Sequence, residues 1–275
     1  MTRFGRWAVL LALLAGASGA AEARIQPRAR VPLVTGYAEL ADRTLGAPVI
    51  LTGTVDSVDR VDPKRAPDAK PGTRRFLIRL AVSEALKAPG AVPQRVRFLW
   101  DTAEEGRPDL LKRDVIAFLA PSSLEDYRLT RPDGLIADRD EAVGIVRAVL
   151  AESRSPDFQR RRVTGVQSAT HTAGTVPGEG ETQIFLSTAG GEPISLIVLS
   201  RPGQPRTLSA AFGDSIDEAA SPVKSGTLAW FYLACGLPRT LPDAATADLA
   251  PEDVAAARSD YAFALDALGT CTLRR

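Results

Sequence analysis

The chain has 275 residues, of which 45% are hydrophobic, and its formal net charge is +1. That apolar fraction is enough for ordinary globular cores, and a chain of this length is more typical of two domains than of one. A nearly neutral chain has no global electrostatic field that would attract nucleic acid or anionic lipid, so we expect neither as a partner.

The first 23 residues have the pattern of a signal peptide. Arg3 and Arg6 precede an apolar run at residues 7–15, and small residues then lead to the sequence AEA at 21–23. A basic start, a short apolar segment and a small-x-small site are what signal peptidase recognises. The apolar run is shorter than the about 20 residues that a permanent membrane helix needs. We therefore expect cleavage near Ala20–Ala23 and a periplasmic or secreted protein without stable membrane insertion.

The predicted first domain, residues 24–152, begins with a short helix and a long strand. Residues 37–45 have a helical apolar stripe, which Gly46 ends. A β-rich run follows at residues 49–61, in which Gly53 predicts a bulge or a bend. The next stretch, residues 62–73, contains three prolines and a glycine, so we expect a long exposed loop there.

Four more strands and a second helix complete the first domain. The β-rich runs cover residues 76–86, 95–100, 115–120 and 127–130. Asp138 and Glu141 form a D-x-x-E pair, which predicts a capping box for a helix that ends before Ser153. Five strands between two helices indicate an OB-like β-barrel with flanking helices. The Ser- and Pro-containing residues 153–160 are the predicted domain boundary.

Residues 160–275 predict a second domain of α+β class, an antiparallel sheet with two closing helices. Gly190 and Gly191 separate two β-rich runs and indicate a hairpin. Ser221 is the expected N-cap of the first helix, and Pro251 is the expected start of the second. The predicted strands cover residues 163–168, 181–188, 194–200 and 207–212, and the first helix covers residues 225–235. Helices that follow a meander are expected to pack on one face of the sheet.

The first half resembles the netrin-like modules of exported proteins, the group that includes tissue inhibitors of metalloproteinases. The matching features are the long strand with a central glycine at 49–61, the strand at 82–87 that leads to a turn, and the sequence LKRDVIAFL at 111–119. This resemblance implies an OB-type barrel. Netrin-like inhibitors are cross-linked by several cysteines, whereas this half has none, so the resemblance implies no metalloproteinase inhibition.

The whole chain is similar to a family of uncharacterised exported bacterial proteins. The stretches that carry this resemblance are GEGETQIFL at 178–186 and LAWFYLAC at 228–235. The resemblance implies export and supplies no activity.

Cys235 and Cys271 are the only cysteines of the chain. Each lies close to a predicted helix end, and in an oxidising compartment an even count favours a disulfide. A catalytic thiol would need an activating histidine or a CxxC partner, and the neighbouring sequence offers neither. We therefore predict that the two cysteines pair.

His171 is the only histidine, which excludes zinc sites built on two or three histidines. Ser168 and Thr170 precede it closely, so a hydroxyl–imidazole pair is one interpretation, with His171 and Ser168 as the candidate catalytic residues. The competing interpretation is a loop or strand-edge histidine that makes ordinary hydrogen bonds.

Other motifs are incomplete. Gly213-Asp214-Ser215 resembles the GDS block of SGNH esterases, yet no histidine follows it. Ser221 and Lys224 match the S-x-x-K pattern of penicillin-binding proteins without a following S-D-N element. Neither a Walker A sequence nor GxGxxG is present, so we expect no cofactor.

Residues 60–75, which include the predicted loop at 62–73, hold six basic side chains. In OB folds the corresponding loop often contacts oligonucleotides or oligosaccharides, but no aromatic residue interleaves these charges. The favoured function is a non-catalytic exported envelope protein that binds a protein or glycan partner. The alternative is a periplasmic hydrolase that uses His171 with a nearby serine or threonine hydroxyl.

Overall fold

The computed structural model describes residues 36–103, 108–123, 126–155, 162–213 and 220–273. Within these ranges the chain forms a closed five-stranded β-barrel, a second antiparallel sheet and four helices, which confirms the predicted α+β class. The predicted signal peptide, residues 1–23, lies outside the described residues. Among the helices in the described ranges, none is long and apolar enough to cross a membrane.

The elements have the following bounds. The helices are α1 (Tyr37–Gly46), α2 (Asp140–Ser153), α3 (Leu228–Gly236) and α4 (Pro251–Leu268). The barrel strands are β1 (Val49–Arg60), β2 (Arg74–Lys87), β3 (Arg95–Thr102), β4 (Asp114–Pro121) and β5 (Tyr127–Leu129), followed by β6 (Leu135–Ala137). The second sheet contains β7 (Val163–Ala173), β8 (Gly180–Thr188), β9 (Ile194–Ser200), β10 (Thr207–Phe212) and β11 (Ser221–Pro222).

The barrel closes because β1 pairs with both β2 and β4. The strand order is β1-β2-β3-β5-β4, and the ladder between β1 and β4 joins the last strand to the first. β3 and β5 are parallel, whereas the other barrel neighbours are antiparallel. β6 adds to β4 as a further strand. A closed barrel of five strands in this order is OB-like, as the sequence predicts.

Gly53 allows β1 to bend around the barrel. The register between β1 and β2 shifts between Thr52 and Gly53, so the predicted bulge is confirmed. A Cβ atom at Gly53 would collide with the carbonyl oxygen of Ala81 on β2 and would lie 3.1 Å from the side chain of Leu80. This close backbone approach requires glycine, since any larger residue would push the two strands apart.

β4 is buried on both faces. Val115, Ala117 and Leu119 belong to the barrel core. Ile116 and Phe118 point the other way and pack in the cluster that α1 and α2 form against the barrel. A strand that is buried on both sides reads as a continuous apolar run, and this explains the sequence VIAFLA.

The predicted capping box at Asp138 is wrong. α2 begins at Asp140, and its N-cap is Arg139, whose side chain makes no capping hydrogen bond. β6 pairs with β4 through Ala137, and the N–H of Asp138 then donates to the carbonyl oxygen of Asp114. Asp138 is therefore still held beside the sheet when the helix starts. Burial, followed by the charges of nearby carboxylates such as Asp114, raises the pKa of Asp138.

The second sheet has the order β11-β10-β9-β8-β7, and its helices pack on one face. Ile184 and Leu196 of the sheet share a buried cluster with Leu233 of α3 and Tyr261 of α4. This confirms the predicted α+β arrangement of the second half. β7 extends farther than residue 168, the predicted end, so His171 lies within the edge strand.

Thr227, and not Ser221, caps α3, so the predicted cap is wrong. Thr227 Oγ1 accepts a hydrogen bond of 3.2 Å from the N–H of Trp230. Ser221 lies in β11, where it pairs with Ala210 of β10. This pairing holds Ser221 at the sheet edge, well ahead of the first helical residue, Leu228.

α3 packs against both helices of the first half. Tyr37 of α1 lies edge-on to Trp230, with ring centroids 6.1 Å apart. The N–H of Leu228 donates to Oε2 of Glu152 on α2 at 2.8 Å. Burial, followed by the charge of Glu152, raises the pKa of Tyr37. The domain boundary at 153–160 stays a prediction, because residues 156–161 lie outside the described ranges.

Candidate functional site

A cleft of about 440 Å³ opens on the barrel between two loops. We call it the barrel cleft. Its walls are the β1–β2 loop, the ends of β2, β3 and β5, and the start of the loop that follows β4. The polar residues that line it include Lys70, Thr73, Asp101, Ser123 and Arg128. The cleft therefore presents ammonium, guanidinium, carboxylate and hydroxyl groups together.

Arg75 fastens the β1–β2 loop to the barrel wall. Only 8% of Arg75 is exposed. Its Nε and Nη2 atoms donate to the two carboxylate oxygens of Asp101 at 2.7 and 2.8 Å, and its Nη1 atom donates to Asp68 of the loop at 2.7 Å. The bonds to Asp101 and then Asp68 raise the pKa of Arg75, and the bond from Arg75 lowers the pKa of Asp68. The loop that the sequence predicts as exposed is thus held at one point.

Trp100 forms a rigid base for the same cleft. Its Nε1–H donates to the carbonyl oxygen of Pro132 at 2.8 Å, and its ring lies 6.4 Å from that of Phe76. The residue is only 9% exposed. Trp100 therefore packs toward the barrel core and holds the cleft wall in place, while the polar rim remains available to a ligand.

A second cavity, of about 510 Å³, lies between α1 and α3. Arg43 of α1 pairs with Asp133 at 2.8 Å, and Arg131 pairs with Asp42 at 2.7 Å. Tyr232 lines the opposite side. The charged side chains on the α1 side form ion pairs with one another. These ion pairs hold α1 against the loop after β5.

His171 belongs to a polar chain that joins the second sheet to α4. Its Nδ1 atom lies 2.8 Å from Oγ1 of Thr182, which is directly opposite on β8. The Thr182 hydroxyl donates to Oδ2 of Asp260 on α4 at 2.5 Å, and Arg206 lies 3.2 Å from Oδ1. Thr182 is 0% exposed and Asp260 is 4% exposed. A buried carboxylate is therefore paired and hydrogen-bonded from both sides, as burial of a charge requires.

The hydrogen bonds between His171, Thr182 and Asp260 run in a different order from those of a catalytic triad. In a triad the hydroxyl gives its proton to the histidine, and the carboxylate orients the histidine. Here the Thr182 hydroxyl donates to Asp260, so Nδ1 of His171 must donate to the hydroxyl oxygen. Ser168 lies on the opposite face of β7 from His171, because successive residues of a strand point to opposite sides. The structure brings His171 to Thr182 and Asp260, but not to Ser168.

Replacing Thr182 with valine should lower the free energy of unfolding by about 1–3 kcal/mol, since a buried oxygen of Asp260 loses its donor. Valine keeps the shape of the side chain, so the loss reports the hydroxyl. Urea denaturation measures it. The matched control is Thr170→Val, an exposed position on the other face of β7, which should stay within about 0.5 kcal/mol of the wild type. Equal stability of Thr182→Val and wild type would contradict a structural role for the hydrogen bonds between His171, Thr182 and Asp260.

Cys235 and Cys271 lie at disulfide distance, with Cα atoms 5.2 Å apart. Cys235 is in the last turn of α3, and Cys271 follows the end of α4. The two cysteines that the sequence pairs are therefore the two that the structure brings together.

The remaining motif candidates are spread over separate places. Ser221 is an exposed residue of β11, and Lys224 is exposed in the turn that precedes α3. Asp214 and Ser215 of the GDS block lie outside the described residues. In the part of the chain that the structure describes, no group of three or more His, Cys, Asp or Glu side chains is placed to hold a metal ion.

In comparisons with known proteins, the chain matches no protein-family model and no curated protein.

Proposed function

We propose that the protein is a non-catalytic exported envelope protein that binds a protein or glycan partner in the barrel cleft. The observation that carries this proposal is the position of the cleft, between the β1–β2 loop and the loop after β4. In OB folds these two loops and the adjoining strand face bind oligonucleotides and oligosaccharides. Export rests on the signal-peptide pattern of residues 1–23.

Some side chains of the cleft hold its wall in place, and others are available to bind a ligand. Arg75 is occupied by two carboxylates, so its role is to hold the loop. Lys70 and Arg128 are exposed, and among the described residues neither has a carboxylate within 4 Å. Thr73 and Ser123 add hydroxyl groups to the lining. A fixed wall with available polar groups favours a ligand that makes several hydrogen bonds.

The alternative is a hydrolase that uses His171. The proximity of His171, Thr182 and Asp260 is the observation in its favour. The full burial of Thr182 argues against it, because a substrate carbonyl must reach the nucleophilic oxygen. The direction of the hydroxyl hydrogen bond, toward Asp260, argues against it as well. Binding is therefore the function that the geometry supports best.

Ser123→Trp tests the proposal, because it fills the cleft at an exposed position without disturbing the core. Protein lacking residues 1–23 is immobilised and exposed to envelope extract and to a panel of soluble glycans. We expect a partner whose affinity falls about tenfold or more in Ser123→Trp, since a bulky side chain in the cleft removes several contacts. Ser221→Trp, an exposed serine of the second sheet, is the matched control and should bind as the wild type does. Equal binding by both variants would place the partner elsewhere.

A further inference from the structure

We propose that the outer face of β2, β3 and β5 binds an anionic polysaccharide, an inference that rests on the proposed binding function and names its ligand class. We call this surface the arginine face. It is defined by Arg79 on β2, Arg95 and Arg97 on β3, and Arg128 on β5, all of which are exposed.

The strand register brings these arginines together. Arg79 lies directly opposite Arg97 in the ladder between β2 and β3, and Arg128 pairs with Leu99 in the parallel ladder between β3 and β5. Phe98, which alternates with Arg97 and Leu99, belongs to the barrel core. Alternation therefore puts Arg97 and Leu99 on the outer surface, and their ladder partners share that surface.

Among the described residues, fewer carboxylates contact the arginine face than the face has arginines. Asp126 lies 3.5 Å from Arg97, and Asp56 lies 3.5 Å from Arg95 while it also contacts Lys112. Within the described ranges, neither Arg79 nor Arg128 has a carboxylate within 4 Å. Like charges directly opposite one another destabilise a sheet. An anion bound across Arg79 and Arg97 would remove that repulsion.

The arginine face adjoins the barrel cleft. Leu99 and Arg128 line the cleft. The next outward position along β3 is Arg97, and Arg79 lies beside it on β2. A linear ligand that starts beside Lys70 in the cleft can therefore run past Arg128 to the opposed pair. This adjacency is what connects the arginine face to the proposed binding function.

The side chains between the arginines favour a polysaccharide over a single-stranded nucleic acid. Grooves for single-stranded nucleic acid combine positive charge with aromatic residues on which bases stack. Here the outward residues next to the Arg79–Arg97 pair are Leu77 and Leu99, while Trp100 packs toward the core. Guanidinium groups bind carboxylates and sulfates through paired hydrogen bonds, which suits a chain of acidic sugars.

The test combines Arg79→Ser with Arg97→Ser and uses polygalacturonate as the probe, with neutral dextran as the uncharged comparison. Titration calorimetry should show that the wild type binds polygalacturonate but not dextran, and that added salt weakens the binding. The double variant should bind about tenfold or more weakly, because two charge-assisted contacts are lost. Arg201→Ser with Arg239→Ser, exposed arginines of the second half, is the matched control and should stay within about twofold of the wild type.

Thermal unfolding separates lost binding from lost structure. The Arg79→Ser, Arg97→Ser variant should unfold at about the same temperature as the wild type, since removal of the like-charge pair offsets loss of the exposed contact between Arg97 and Asp126. Absence of polygalacturonate binding by the wild type, or unchanged binding by this variant, overturns the proposal. Preference for a single-stranded DNA oligonucleotide over polygalacturonate overturns the ligand class.

A different result would contradict the proposed function: no ligand would bind Ser123→Trp more weakly than it binds Ser221→Trp. A neutral ligand that is sensitive only to Ser123→Trp would keep the barrel cleft as a binding site and remove the arginine face from it.

Discussion

Gly53→Ala should destabilise the barrel by about 3 kcal/mol or more, because a Cβ atom has no room between β1 and β2. The added atom would collide with the carbonyl oxygen of Ala81 and lie 3.0 Å from its carbonyl carbon. These are backbone atoms of a paired strand, so they cannot rotate away as a side chain can. Relief requires the two strands to separate near the middle of their ladder. Urea denaturation followed by tryptophan fluorescence measures the loss, since Trp100 packs in the barrel core.

Gly165→Ala is the matched control. Gly165 also lies beside a register shift, on β7, but nothing comes within 4 Å of a Cβ built there. The free energy of unfolding of this variant should stay within about 1 kcal/mol of the wild type. If both alanine variants had the same stability, the close approach at Gly53 would not be what shapes the barrel.

The sequence predicts the elements well where one physical signal dominates. The continuous apolar run at 115–120 predicts β4, and Gly46 marks the end of α1. The short strand β6 is missed, because three residues are too few to show a period. The missed strand also explains why the predicted cap at Asp138 is wrong. β6 pairs with β4 as far as Ala137, and the D-x-x-E pattern contains no information about this pairing. Tertiary pairing decides such positions.

The polar chain of His171 could be predicted only in part. Thr182 stands in phase with Ile184 and Leu186 on β8, so strand alternation already places a hydroxyl on the buried face. Its partner Asp260 is 78 residues farther along the chain. Which helix turn meets which strand position depends on packing, and no local pattern carries that information. The single histidine could be found from composition, but its partners could not.

The barrel cleft and the arginine face could likewise be predicted only in part from the sequence. Alternation predicts that Arg79 and Arg97 each point away from an apolar core. That they stand opposite each other depends on the register between β2 and β3, which the loop between these strands does not specify. The bonds from Arg75 to Asp101 arise from the same ladder. Binding surfaces built across strands are therefore visible only once the register is known.

The bond between Cys235 and Cys271 ties the end of α3 to the chain that follows α4. The two cysteines are 36 residues apart in sequence, so the bond closes a long loop. Beyond the bond, Leu273 packs in the cluster that joins α3 to α1 and α2. The disulfide therefore holds the last described residues against the region where the two halves meet.

Cys235→Ser should lower the free energy of unfolding by about 2–4 kcal/mol, because the unfolded chain regains the entropy that the closed loop removes. The double variant with Cys271→Ser should lose a similar amount, and wild-type protein unfolded in the presence of a dithiol reductant should match both. Ligand binding in the barrel cleft should survive, since no cysteine lies in the first half. Titration of thiols in the denatured, unreduced protein checks the premise. Two reactive thiols per chain would contradict the bond, and the stability difference would then have to come from packing at the end of α3.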